Sequence, residues 1–371
     1  MKRIAVLVLL AVALSTAWPL CAQQLVLSVC DYAPPESHVS TLDLQGSFSW
    51  YDGPFADDRS RSLAASFVAD YGGLDTSESF AQQLDLLVDV RRKTSGWTAE
   101  LGGDGSMLAF WENDTFAVGA LGFDATSEVR LEADLSAGIG VGRFRDVTPL
   151  AQAIRMQNAL LDLGELLAPL SNVTLLDLAA ILGEVGPSDD ERIVRIAERL
   201  LATDLTPGED LGVRALLEID RLLTEPESSR LCGGDLQARV GVSAALLPDV
   251  RLSATGILLG RYALVPDPVS QFDALAEAKI RLTDPSQMIL AADASYARRL
   301  PDGWTARATY RLDLDRFWTD PAETTWAHAL SSSLTTQVFG GVGLSLVANA
   351  EYRTGDEELT LSVGLHLEAS F

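Results

Sequence analysis

Residues 359–371 read Leu-Thr-Leu-Ser-Val-Gly-Leu-His-Leu-Glu-Ala-Ser-Phe. Side chains two apart share one face of a strand. Leu359, Leu361, Val363, Leu365, Leu367, Ala369 and Phe371 therefore make an apolar row, and Thr360, Ser362, Gly364, His366, Glu368 and Ser370 a polar one. One such strand fits any half-buried sheet, so the fold depends on whether the rest of the chain repeats it.

It does. Leu84, Leu86, Val88 and Val90 alternate with Asp85, Asp89 and Arg91; Val129 to Val141 alternate with Arg130, Glu132, Asp134, Ser136, Gly138, Gly140 and Gly142. Leu236, Ala238, Val240 and Val242 oppose Gln237, Arg239, Gly241 and Ser243, and the rhythm returns at 304–313 and 342–351. Turn residues such as Lys93-Thr94-Ser95-Gly96 and Leu300-Pro301-Asp302-Gly303 punctuate the runs. The pattern predicts about six strands before residue 145 and about eight after 235, each about ten residues or more, long enough to cross a bilayer when tilted.

Alternation alone also describes a soluble secreted sandwich with one wet face. The aromatics separate the two readings: Trp50, Tyr51, Trp97, Phe110, Trp111, Trp304, Phe317, Trp318, Trp326, Phe339 and Tyr352 fall near strand ends, as interfacial girdles require.

The start of the chain speaks to compartment. Lys2 and Arg3 precede an apolar run from Ile4 to about Ala17, then Pro19 and Cys21-Ala22, which reads as a secretory signal over residues 1–22. Its removal takes two bases and no acid, so the formal charge of −24 becomes −26. So acidic a chain argues against nucleic acid as a partner. Cys30 and Cys232 remain, an even number in an oxidising compartment, and are expected to pair; two free thiols are the alternative.

A signal peptide, repeated amphipathic strands and a closing aromatic, Phe371, resemble the outer-membrane β-barrel proteins of Gram-negative bacteria. The resemblance is to an architecture and matches no named family. It implies an antiparallel transmembrane barrel of about fourteen strands, within about twelve to sixteen, in the bacterial outer membrane. It further implies outer-membrane lipids as surroundings, a periplasmic C-terminus, and Phe371 as an assembly signal read by the barrel-assembly machinery.

Between the halves the period changes to 3.6. Thr148-Pro149 reads as N-cap and first helical residue, Ser188 with Glu191 as a capping box, and Thr206 with Glu209 as another. Helices are expected over about 149–169, 173–184, 189–203 and 208–224. The organisation is then a signal at 1–22, an N-terminal segment at 23–39, barrel strands 1–6 at 40–145, a helical insertion at 146–234 and strands 7–14 at 235–371. Counting six strands from one end and eight from the other puts the insertion on the periplasmic side. There it either plugs the pore or hangs clear.

No enzyme chemistry is legible. The three histidines, His38, His328 and His366, have no serine, acid or cysteine at a spacing that suggests a triad. Gly138-Ile139-Gly140-Val141-Gly142 lies within a strand and lacks the nucleotide-loop spacing. Asp189-Asp190-Glu191 opens a helix, where acids favour the dipole. No cofactor or metal is called for.

The lumen rows carry the functional expectation. In the first half, inward acids Asp43, Asp85, Asp89, Glu100, Asp104, Glu132 and Asp134 outnumber Arg91 and Arg130. In the second, Arg239, Arg251, Arg261, Lys279, Arg281, Arg307 and Arg311 stand beside Asp273, Glu277, Asp293, Asp313, Glu351 and Glu368. Opposed rows would set a transverse field across a water-filled pore for small polar or charged solutes. The filter candidates are Asp43, Asp85, Asp89, Glu132, Asp134, Arg239, Arg251, Arg307 and Arg311. The alternatives are a charge network that fills the interior, or a barrel that only anchors helices which bind a periplasmic protein or the cell wall.

Overall fold

The computed structural model describes residues 28–370 apart from 35, 53–60, 94–95, 112–113, 128–129, 185, 209, 225–228, 248–249, 283–286, 301–302, 318–323, 340–341 and 355–359. The signal segment, Phe371 and most of residues 52–61 and 315–323 lie outside the described residues.

Strands β1 (Ser37–Asp52), β2 (Arg61–Thr76), β3 (Phe80–Lys93), β4 (Gly96–Phe110), β5 (Thr115–Thr126) and β6 (Arg130–Asp146) form the first half. The second comprises β7 (Leu231–Leu247), β8 (Arg251–Leu264), β9 (Ser270–Arg281), β10 (Gln287–Arg299), β11 (Trp304–Phe317), β12 (Thr324–Phe339), β13 (Val342–Arg353) and β14 (Thr360–Ser370). Every strand pairs antiparallel with its sequence neighbours, β6 with β7 across the insertion, and β1 with β14 closes the barrel. His38, expected ahead of the first strand, lies inside β1, because pairing with β2 begins at Ser37.

The faces are the reverse of a soluble protein's. Leu135, Ile139, Leu236, Val240, Leu252 and Leu258 face outward and are exposed, whereas Asp89, Ser136, Asp235, Gln237 and Thr255 face inward and are buried. Apolar area on this scale, wrapped around a polar interior, fits hydrocarbon rather than water. That removes the soluble sandwich. His328, on the outward row of β12, shares a hydrogen bond with the Tyr310 hydroxyl, 2.8 Å from Nδ1, and Trp326 is outward and exposed on the same strand.

The insertion folds as α1 (Thr148–Asp162), α2 (Asn172–Gly183), α3 (Asp189–Leu201) and α4 (Val213–Thr224). Helix α1 starts one residue earlier than expected, with Val147 as N-cap; Thr148 is capped instead by the Asp146 carboxylate, 2.9 Å from its N–H. It stops seven residues short of 169 because Gly164 adopts φ +74°, a left-handed turn that ends the ladder. Ser188 caps α3 as expected, accepting from Glu191 N at 3.3 Å. Thr206 does not cap the last helix: its Oγ1 donates to Gly208 O, α4 begins only at Val213, and Glu209 lies outside the described residues.

Leu150, Ile154, Leu160, Leu178, Ile196, Leu200 and Ile219 make the helical core, which also takes in Val147, Cys232 and Val265 from the barrel rim and Val29 and Tyr32 from the N-terminal segment. The helices therefore sit on the mouth at which β6 ends and β7 begins. Cys30 and Cys232 form a disulfide there, Cα–Cα 5.3 Å. Burial and the nearby Asp146 carboxylate raise the Tyr32 phenol above its ordinary pKa.

Candidate functional site in the barrel lumen

Register decides what faces what. On the first half, Asp85 stands directly opposite Asp104, Asp89 opposite Glu100, and Asp124 opposite Glu132. Asp43 is placed by register alone, opposite Asp70 and Ser370. Like charges at directly opposed positions destabilise a sheet, and here they recur from β1 to β6. Glycines make room for them: a Cβ on Gly122 would lie 2.6 Å from Asp104 Oδ1. Asp85, Glu100, Asp104, Asp124, Glu132 and Asp134 all line one cavity of about 270 Å³. Away from the helix-end rim, the described charged side chains on this wall are all carboxylates. Arg91 and Arg130 share its rows by register, but their side chains lie outside the described ones.

The second half is mixed and largely paired within itself. Arg311 Nε reaches Asp313 at 2.8 Å and Asp293 at 4.0 Å. Gln287 donates to Asp315 at 2.7 Å, and Gln271 to Asp273 at 2.7 Å. Arg307, on β11, has the Asp273 carboxylate of β9 within electrostatic range. Arg239 lies opposite Gly138, among Glu277, Asp104 and Asp235. Arg251 opens β8 at the rim away from the helices, exposed and remote from this group.

Side-chain bonds join the walls, among them one from Ser243 of β7 to Asp134 of β6. Lys279 of β9 binds Asp134 of β6 at 3.2 Å. Arg261 of β8 donates to Gln83 of β3 and to the carboxylate of Asp235 on β7. Arg261 also lines a second cavity, about 330 Å³, with Gly72, Gln83, Asp85, Asp273, Asp293 and Ser295, and with Ser229 and Leu231 from the insertion's return. Its bond to Gln83 thus crosses the lumen next to the helical mouth. The structure brings Asp85, Asp89, Glu132, Asp134 and Arg239 into one lumen with Arg307 and Arg311, and leaves Arg251 at its edge.

Several members escape a reading by pattern. Asp124 belongs to a strand diluted by Gly119, Ala120 and Gly122, and Gln83 is neutral, so neither stands out by charge. Phe110 and Phe116, one of them expected at an interfacial girdle, turn inward instead: their rings meet edge-on at 5.3 Å, and Phe116 covers Gly140. Arg143 stacks over Phe110 at 4.0 Å and pairs with Asp114 at 3.1 Å.

No protein-family model matches the chain, and no curated protein matches it. Solved structures overlap it loosely. A BenF-like porin from Pseudomonas fluorescens Pf-5 shares 7% identity over 91% of this chain and 97% of its own, TM-score 0.33. A bacterial polysaccharide outer membrane secretin shares 8% over 90% and 98%, TM-score 0.31. The CymD monoaromatic hydrocarbon channel shares 8% over 95% and 94%, TM-score 0.30. The chain's own strand pairing and inverted surface define its class, a transmembrane β-barrel of the outer-membrane type.

Proposed function

We propose that the barrel is a diffusion channel for small polar or charged solutes that favours cations, with the helical domain at its periplasmic mouth. The observation that carries this reading is the stacking of carboxylate opposite carboxylate at Asp85–Asp104, Asp89–Glu100 and Asp124–Glu132. Carboxylates set level across neighbouring strands around a hydrated lumen concentrate cations there. The cation-bearing residues across the lumen, Arg239, Arg307 and Arg311, turn the path into a transverse field, and Arg261 bridges it.

Conductance of the refolded protein in a planar bilayer tests this. Under a KCl gradient the expected reversal potential is cation-selective, and Asp104→Asn/Asp124→Asn/Glu132→Gln moves it toward zero. Silence from both the intact protein and a variant lacking residues 149–230 would sink the channel. Openings only after that deletion would make the helices a plug.

A second reading has one observation in its favour. Leu163 and Leu167 beyond α1 and Val213 and Leu217 on α4 are exposed, a surface on which a periplasmic protein would dock. Loss of a pulled-down partner on deletion of 149–230, with conductance unchanged, would favour it.

A further inference from the structure

The seam that closes the barrel is far shorter than its strands. Strand β1 pairs with β2 along its whole length, from Ser37–Thr76 to Asp52–Arg61, and β14 pairs with β13 from Glu351–Thr360 to Val342–Ala369. Between β1 and β14, among the described residues, only Asp43–Ser370, Leu44–Ala369 and Gln45–Glu368 pair. The same register continued would match Gly46 with Leu367 and so on to Asp52 with Leu361, and none of those pairs forms. The strands part there, toward the end away from the helices.

Free strand edges in hydrocarbon are costly, because each unpaired N–H and C=O has lost water without gaining a partner. Such backbone persists at membrane depth only where it lines a polar space or is hydrogen-bonded. A wholly apolar molecule cannot supply those bonds. Beside the cleft, however, the outer face is apolar, with Leu361 70% and Val363 76% exposed. Both surfaces are satisfied together by a molecule that has a hydrogen-bonding head and a hydrocarbon tail.

We propose that the β1–β14 seam is a lateral opening in the barrel wall, a cleft that takes the head group of a membrane amphiphile between the free edges of residues 46–52 and 361–367 while its alkyl chain stays in the bilayer. The short clasp at Asp43–Gln45 keeps the barrel closed at the helical end. The opening is a sideways route between membrane and lumen, separate from axial conduction.

The test uses the full chain in phosphatidylethanolamine vesicles that contain a phospholipid with a diazirine beside its head group. Two double-cysteine variants lie on the same face of the seam: Leu44→Cys/Ala369→Cys at the clasp and Phe48→Cys/Leu365→Cys in the cleft. The clasp pair is expected to oxidise readily and the cleft pair about ten-fold more slowly, since a disulfide forms only where Cα atoms come within about 7 Å. Photolysis is expected to label 46–52 and 361–367 above the rest of the outer face, and forcing the cleft disulfide is expected to abolish that label with axial conductance unchanged. Equal oxidation of the two pairs would show a zipped seam and overturn the proposal. Labelling spread evenly over the outer face, or labelling that survives the lock, would overturn it as well.

Discussion

Arg261 on β8 reaches across the lumen to the side-chain oxygen of Gln83 on β3. Its remaining nitrogens hold Asp235, whose side chain is 2% exposed. One residue therefore bridges the lumen and pairs with a buried carboxylate, and the two contacts separate experimentally.

Arg261→Ala is expected to raise single-channel conductance and deepen cation selectivity, because it removes the cation that bridges the lumen. It also strands Asp235, at a cost of about 3–5 kcal/mol when one partner of a buried pair is lost. Arg261→Ala/Asp235→Asn should keep the conductance gain and recover much of the stability, read by urea unfolding. Unchanged conductance in both variants would place the constriction elsewhere.

Selectivity that arises from a hydrated acidic wall is screened by salt. The Debye length falls from about 10 Å at 0.1 M to about 3 Å at 1 M. The cation preference is therefore expected to shrink across that range at a fixed concentration ratio. A selectivity insensitive to salt would point to size exclusion.

Gly140 lies under the Phe116 ring: an added Cβ would sit 2.3 Å from its Cζ and 2.8 Å from the Leu236 carbonyl oxygen. Gly140→Ala is expected to cost about 1–3 kcal/mol by overpacking. Phe116→Leu in the same chain should recover part of it, since the ring can yield and the backbone cannot. Thermal denaturation of the two variants decides the point.

The Cys30–Cys232 disulfide spans 202 residues of sequence. Chain entropy sets an upper figure of about 5 kcal/mol for a loop of that length. Cys30→Ser/Cys232→Ser is expected to free the segment around Val29 and Tyr32 from the helical core, seen as new proteolysis near residues 28–36. The barrel's bilayer conductance should survive, because the strand ladder does not include this bond.

The helical domain should loosen in acid. Hydrogen bonds from Arg195 hold Glu184, and those from Arg221 hold Glu218, below the ordinary carboxylate range. A carboxylate with a depressed folded pKa contributes stability above its unfolded value and loses it as pH falls through the folded one. Hydrogen-exchange protection factors over α1 to α4 are thus expected to fall as pH drops below the ordinary glutamate range. The effect should be small at Glu184, which is solvent-screened. Arg221→Ala should remove the share of this pH dependence that comes from Glu218 on α4.

The sequence by itself determined the parity of the strands. Val129–Val141 and Leu236–Val242 alternate so regularly that their outward and inward rows follow from strand geometry alone, as does the acidic character of the first-half lumen. It also determined that a helical segment interrupts the barrel, because a change of period from two to 3.6 is local. Helix ends were less legible: a cap motif at Thr206 competes with turn bonds that only the packed loop selects, and Gly164 could have continued α1.

Tertiary structure decided which residues meet. Carboxylate faces carboxylate at Asp85–Asp104 because the β3–β4 register puts them level, and register depends on turns and barrel shear that no single strand encodes. Arg261 finds Gln83 only once the sheet has curved round on itself. The brief β1–β14 seam is of the same kind: closure joins the two strands most distant in sequence, where alternation says nothing about how far their edges zip.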